Sequence, residues 1–356
     1  MLFELKIKTF TEHLQMDLRS IVLNTTAVVE NIPSSGKSVF SAYKIIMDYY
    51  NTTVNIPQER TLWTSFYFAA MFLTLIGNIF ILKAIYNKVF CIGKLTTSLI
   101  FHVALSDMGL NLVSIFPTFI TVLTDRWLFG ELFCDVQCFT RAIFTIASMG
   151  LVCALNCSKL ATILFPLRVR HWKRRLGHFL STVMWGVALV SMTMYRFTGQ
   201  RKYVFLYQLM SCWYITSYTT DWSPQVKISV IIYSGVSILG NIVVLFTTVW
   251  LLVTTIQLMR RQTHLSGTKL SGVLTVILIA TVYCLTYMPY AIYNMAFFFI
   301  ADVQDKNPAS MFYTRLLTLS RSVQHFNTIS NFFLYIFSIS GFKNFVVSEM
   351  RRVLSR

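Results

Sequence analysis

The sequence predicts an all-α fold, a seven-transmembrane-helix bundle with its N-terminus outside. Three observations point there. Hydrophobic residues make up 55% of the chain and charged residues 13%, against roughly 25% charged residues in an ordinary soluble domain. Seven apolar runs approach the roughly 20 residues that a helix needs to cross a hydrocarbon core of about 30 Å. The segments between them sort by charge into two classes, as loops on opposite faces of a membrane do. With 14 Gly, 7 Pro and 15% aromatic residues in 356, and no low-complexity stretch, disordered and fibrous classes are excluded.

The spans fall at 61–82, 97–123, 136–159, 179–195, 228–254, 273–300 and 312–338. The fourth is the shortest, and the third and seventh carry interior arginines. Each run is continuously apolar over more than the roughly ten residues of a barrel strand, so helices are expected rather than alternating strands. Residues 1–60 form an N-terminal tail, 61–338 the membrane domain and 339–356 a short C-terminal tail. The first fifteen residues carry Glu4, Lys6, Lys8 and Glu12, so no cleavable signal peptide is expected and the first span serves for insertion.

Orientation follows from the charges. Segments 83–96, 160–178, 255–272 and 339–356 hold fifteen Lys or Arg and one acid, Glu349. The opposite loops hold seven basic and six acidic residues, and the tail six of each. The positive-inside rule places the first group in the cytoplasm. The sequons at Asn24 and Asn51 then lie in an extracellular tail, where glycosylation is expected. The net charge of +17 is therefore mostly a basic inner surface facing anionic membrane lipids, and no nucleic-acid partner is expected. Seven scattered cysteines, with no CxxC or Cys/His ligand spacing, argue against a zinc site and allow one or two disulfides at most.

Ionisable groups at membrane depth are costly and mark candidate sites. Asp107, Arg141, Lys159 and Arg321 are such groups. Asp107 lies about 12 residues, roughly 18 Å, from the inner end of its span. Ser148 and Asn327 reach similar depth, with Asn78, Asn331 and Ser106 in the inner half. One reading is interhelical glue at about 0.6 kcal/mol per bond. The other is a set of oxygen ligands for a small hard cation such as sodium.

These residues resemble the rhodopsin-like, class A, G-protein-coupled receptors over about 60–350. The resemblance rests on Gly77-Asn78 in the first span, Leu105-Ser106-Asp107 in the second, Trp127-Leu128-Phe129-Gly130 before Cys134, and Trp185 in the fourth. Pro289-Tyr290 follows in the sixth and Asn331 with Tyr335 in the seventh. It implies a Cys134–Cys212 disulfide, and Asp107, Ser148, Asn327 and Asn331 as an allosteric sodium site. It also implies a short amphipathic eighth helix inside, beginning at Gly341-Phe342-Lys343, and a bend at Pro289 about which the sixth helix swings to admit a heterotrimeric G protein. A plasma-membrane, multi-pass location goes with it.

The sequence departs from the family where activation is controlled. The third span ends in Ser158-Lys159-Leu160 instead of Asp-Arg-Tyr, and lysine lacks the planar fork of arginine. The sixth carries Thr286-Tyr287-Met288-Pro289 instead of Cys-Trp-x-Pro. Phe332 replaces the seventh-span proline, the fifth has Gly240-Asn241 and no proline, and Lys269 stands where many members have an acid. The microswitch positions Ser158, Lys159, Leu160, Pro289 and Tyr335 therefore predict a loosely held inactive state or altered coupling.

By the same resemblance, Arg141, Thr145, Tyr287, Arg321 and His325 take pocket-facing positions. Arg141 stands where amine receptors carry an aspartate and would repel a cation, so a monoamine ligand is not expected. His325 stands where opsins carry their retinal-linking lysine, so Schiff-base photochemistry is excluded. Two arginines favour an anionic, peptide or lipid-like ligand. Against this stands snorkelling of the long stems, weighed evenly for Arg141 and favoured for Arg321, nearer the outer surface. The second outer loop, with Tyr203, Phe205, Tyr207, Trp213, Tyr214, Tyr218 and Trp222, suits a peptide or lipid, or simply a membrane interface. Beyond Gly341 the C-terminal tail has only Ser348 and Ser355, which predicts weak arrestin capture there and leaves Thr263, Ser266 and Thr268 as alternative phosphorylation sites.

The competing readings are a receptor-like protein with lost or constitutive coupling and a transporter using Asp107 as ion relay. The latter predicts an internal repeat, and none is seen. An enzyme is not expected, since no Ser/His/Asp, GxGD-like or HExxH arrangement occurs.

Overall fold

A computed structural model describes residues 57–90, 93–169, 174–198, 202–206, 211–215, 224–260, 267–303 and 311–355. Its long helices are α1 (Pro57–Tyr86), α2 (Lys94–Thr124), α3 (Gly130–Leu164), α4 (Arg174–Thr198), α5 (Pro224–Arg260), α6 (Gly267–Val303) and α7 (Met311–Ser338), followed by the shorter α8 (Ser340–Leu354). The helices outrun the predicted spans at most ends. Hydropathy reads only the part of a helix that needs lipid, and polar turns continue beyond it.

Six of these helices are long and apolar enough to cross a membrane by length and composition. Helix α7 is the polar one. Its Ser320, Arg321, Gln324, His325, Asn327 and Asn331 are each at most 6% exposed, so its polar face turns inward and its apolar residues face out. On α4 and α5 only 22% and 28% of the apolar window is buried. Their outward residues, such as Val187, Leu239, Phe246 and Trp250, are apolar because the surrounding solvent is lipid.

Helix α3 is the axis of the bundle, packing against α2, α4, α5 and α6. Lipid is as apolar as a leucine core, so close packing and interhelical hydrogen bonds hold the helices together. Asn156 Nδ2 donates to Thr247 Oγ1 (3.1 Å) and Thr248 Oγ1 (2.9 Å), tying α3 to α5. Thr74 and Thr328 hydroxyls meet at 3.0 Å between α1 and α7. Ser106 Oγ donates to the Phe144 carbonyl at 2.9 Å between α2 and α3. Two glycines allow close approach. A Cβ on Gly77 would lie 2.7 Å from Cβ of Phe332, and one on Gly240 would lie 2.2 Å from Cε of Met149. Phe332, standing in for proline, thus fills the space that Gly77 leaves open.

Helix α2 is interrupted, where the sequence predicted one regular span. A π-helical turn covers Asn111–Ile115, with the Phe116 N–H bonded to the Asn111 carbonyl. Pro117 follows at once; its missing N–H and its ring disrupt the regular ladder. Asn111 Nδ2 donates to the Met71 carbonyl of α1 at 2.8 Å. The loop after α4 adds an antiparallel hairpin to the helical bundle, β1 (Lys202–Leu206) and β2 (Ser211–Ile215), with Phe205 opposite Cys212.

At the other end, α8 docks through Phe342, which is fully buried and stacks on Phe90 with ring centroids 5.4 Å apart. Glu349 bridges Lys83 of α1 (2.5 Å) and Arg352 (2.8 Å). The hydrogen bond from Lys83, reinforced by Arg352, holds the Glu349 carboxyl below its usual range. A carboxyl lowered on folding contributes stability above its unfolded pKa and loses it as pH falls through the folded value. The clamp therefore holds at neutral pH and opens in acid. Glu349→Gln is expected to speed amide hydrogen exchange in α8 at neutral pH and to flatten its acid dependence.

Candidate functional site

The disulfide end of the bundle is built on α3. Cys134 and Cys212 are joined, with Cα atoms 5.3 Å apart at a sequence separation of 78. Gln137 Oε1 accepts the Cys212 N–H at 3.2 Å, so one helical turn holds the hairpin by a covalent and a polar tie. Cys138 is a buried free thiol in the same cluster, which Trp127 covers.

Below it lies a cationic cluster. Arg141 of α3 is half-buried, and Arg321 of α7 is 4% exposed. Arg321 therefore does not snorkel to the surface, as its sequence position had favoured. It lies within electrostatic range of Arg141, Tyr67, Tyr290 and Cys138, and both arginines act on the ring of His325. The Tyr67 ring meets His325 edge-on at 6.0 Å, and its hydroxyl is 3.4 Å from that of Ser322. His325 Nδ1 is buried with no hydrogen-bond partner among the described residues. Thr145 lies half-buried one turn along α3 from Arg141. Two guanidinium groups in one low-dielectric space repel each other, and an oxyanion between them offsets that cost while accepting their paired donors. Sequence reasoning missed Tyr67, whose only signal was a polar tip on an aromatic residue in an apolar span, and took Tyr290 only as part of the motif at the α6 bend.

A second polar cluster surrounds Asp107, which is 1% exposed. Asn331 Nδ2 donates to its Oδ2 at 2.7 Å, joining α7 to α2. Asn78 instead serves its own helix, donating to the Thr74 carbonyl at 2.9 Å. Ser148 Oγ, Asn327 Oδ1 and Asn331 Oδ1 are buried with no hydrogen-bond partner among the described residues. Each such orphan costs about 1–3 kcal/mol unless water or an ion satisfies it. Tyr287 and Tyr335 both lie in electrostatic range of Asp107.

Toward the α8 end, Ser158, Lys159 and Leu160 are at most 8% exposed. The Ser158 hydroxyl donates to the Leu155 carbonyl at 2.8 Å, so it is committed to its own helix. Pro289 lies inside α6. Tyr335 packs edge-on against Phe90 and Phe342, at 5.6 and 6.1 Å. Among the remaining sequence-derived positions, Asn24, Asn51, Tyr207, Tyr218, Trp222, Thr263 and Ser266 lie outside the described residues.

Comparison with known proteins places this geometry. The family described as 7 transmembrane receptor (rhodopsin family) matches residues 61–335. The neuropeptide FF receptor 2 of Rattus norvegicus is 25% identical over 152 residues, 42% of this chain and 35% of that protein. The neuropeptide Y receptor type 6 of Oryctolagus cuniculus is 23% identical over 160 residues, 45% and 41% of the two chains. Melanopsin-B of Xenopus laevis is 28% identical over 147 residues, 38% and 27%. The matched part spans well under half the length of each relative. The family match runs from α1 into the last turn of α7, and on it the chain belongs to the rhodopsin family of seven-transmembrane receptors, multi-pass membrane proteins.

Proposed function

We propose that the chain is a plasma-membrane receptor that binds an extracellular ligand bearing an anionic group and passes the signal to a heterotrimeric G protein. The carrying observation is that half-buried Arg141 of α3 and buried Arg321 of α7 lie within electrostatic range of each other and of His325. The disulfide end, with the N-terminal tail and its sequons at Asn24 and Asn51, faces outside, and the basic α8 end faces the cytoplasm. Two relatives are named as receptors for neuropeptides. A peptide carrying a carboxylate is therefore one source of the anion, and a lipid-like or small-molecule acid is the other. Thermal-shift screening of the purified receptor against matched anionic and cationic libraries tests this. Stabilisation confined to the anionic set is expected; stabilisation by amines alone contradicts it.

Asp107, Ser148, Asn327 and Asn331 fit a sodium ion. They offer a carboxylate and three buried oxygens without partners among the described residues, the hard donor set that such a cation takes. The ion would neutralise Asp107 and tie α2, α3 and α7 together in the resting receptor.

One observation favours a second reading, a receptor with altered or constitutive coupling. Ser158 is bound to Leu155, and Lys159 replaces an arginine fork. Thr263 and Ser266 before α6 and Thr268 in its first turn are then the proposed sites for phosphorylation and arrestin capture, beside Ser348 within α8 and Ser355 after it.

A further inference from the structure

A pair of imidazoles bridges α2 and α4 within their first three turns, at the α8 end of the bundle. His102 Nε2 and His178 Nδ1 lie 3.0 Å apart at a sequence separation of 76, so no local spacing announces the pair. The ring centroids are 5.2 Å apart with planes at 72°. Phe101 packs edge-on against both rings, at 5.4 and 6.2 Å. His102 is half-buried and His178 exposed. The helices touch here, since a Cβ on Gly177 would lie 2.7 Å from Cβ of Ser98 and 2.9 Å from the Leu95 carbonyl oxygen. Ser98, one turn before His102, is 2% exposed, and its hydroxyl has no hydrogen-bond partner among the described residues. Two apolar side chains would pack this seam without desolvating polar nitrogens.

We propose that His102 and His178 form a binding site for a divalent transition-metal ion such as zinc, which pins α2 to α4. In a hydrogen bond between two imidazoles one nitrogen accepts, so at least one ring is neutral and carries the lone pair that a metal takes. Two nitrogens each about 2.0–2.1 Å from one ion stand about 2.9 Å apart at a square-planar angle and about 3.3 Å apart at a tetrahedral one. The observed 3.0 Å falls between the two. The ion replaces the shared proton, and a turn of the exposed His178 ring brings its lone pair onto the metal. Among the described residues no third His, Cys, Asp or Glu joins the pair, so water completes the shell. The Ser98 hydroxyl, in the same seam, is a partner for such a water. Arg174 and Arg175, in the turn before His178, are exposed, and water and salt screen their charge from the ion. Structural zinc sites are closed by four protein ligands; two ligands and an open shell make this a reversible site that tunes the α2–α4 contact.

The test is the melting temperature of the purified full-length receptor, carrying no polyhistidine tag, titrated with zinc chloride in a buffer free of chelators. Wild type, His102→Ala, His178→Ala and His178→Gln are compared. Zinc is expected to raise the wild-type melting temperature. Each alanine variant should need roughly a hundredfold more zinc for half the shift, the gain that a second linked ligand confers. His178→Gln can still hydrogen-bond His102 but offers no imidazole, so it should keep the zinc-free melting temperature and lose the zinc response. A zinc curve for His178→Gln that superimposes on that of wild type overturns the site and leaves the pair an interhelical hydrogen bond. A wild type whose melting temperature zinc does not raise overturns it equally.

Discussion

Arg141→Ala is expected to abolish ligand response while leaving surface expression normal. The half-buried guanidinium lies within electrostatic range of the buried Arg321 and His325, and an anion bound between the arginines would lose one of its charged donors. Truncating one member of a buried, hydrogen-bonded charge pair costs about 2–5 kcal/mol, which is roughly thirtyfold to several-thousandfold in potency. Arg141→Lys keeps the charge and loses the fork, so it should recover only part of the affinity. Concentration–response curves beside surface immunostaining check this, and an unaltered curve for Arg141→Ala removes that residue from the ligand site. The same loss is expected for Arg321→Ala, with some added destabilisation because Arg321 is the more buried.

Cys134→Ser and Cys212→Ser should each cost the receptor its outer architecture. The bond closes a loop of 78 residues and is the covalent tie between α3 and the hairpin above the cationic cluster. Removing a native disulfide costs about 2–5 kcal/mol in small domains. A bundle has other ties, so the larger effect is expected on ligand binding. The hairpin keeps its own strand pairing, with Phe205 opposite Cys212, but is then tied to α3 at Cys212 by the Gln137 hydrogen bond and no longer by a covalent bond. The double variant should behave like either single one, because each already removes the whole bond. Radioligand or thermal-shift binding, together with the fraction of receptor reaching the surface, measures both parts of the effect.

The bundle was legible because its signal is thermodynamic and coarse. Lipid admits only long apolar helices with internally satisfied backbones, and that requirement writes itself into composition. Even α7, too polar to pass on hydropathy alone, reads as a span once its polar residues are seen to share an inward face. The details that position the site were less legible. The π turn at Asn111–Ile115 arises from the geometry around Pro117 and from a hydrogen bond to Met71, a tertiary contact with no local pattern. The burial of Arg321 depends on how α7 rotates against α1 and α3. The long stem could have reached the surface from the same position in the chain, so the sequence favoured snorkelling and the packing decided otherwise. Tyr67 entered the cluster for the same reason. The commitment of Ser158 to Leu155 could not be read from the triplet, because a serine side chain bonds its own helix or a neighbour with similar ease.

These residues make one chain of cause. A cationic cluster lies under the disulfide, a polar chamber centred on Asp107 lies deeper, and Tyr287 stands on α6 beside Asn327 and Asp107. In the proposed receptor, the helix whose bend would admit a G protein therefore adjoins this chamber. The most direct test is guanine-nucleotide exchange on purified heterotrimeric G proteins by the receptor reconstituted in nanodiscs, with and without an anionic ligand found by thermal shift, beside Lys159→Arg. The account predicts ligand-dependent exchange that disappears in Arg141→Ala and rises in Lys159→Arg. Binding of the same ligand with no change in exchange, in wild type and in Lys159→Arg alike, would contradict it.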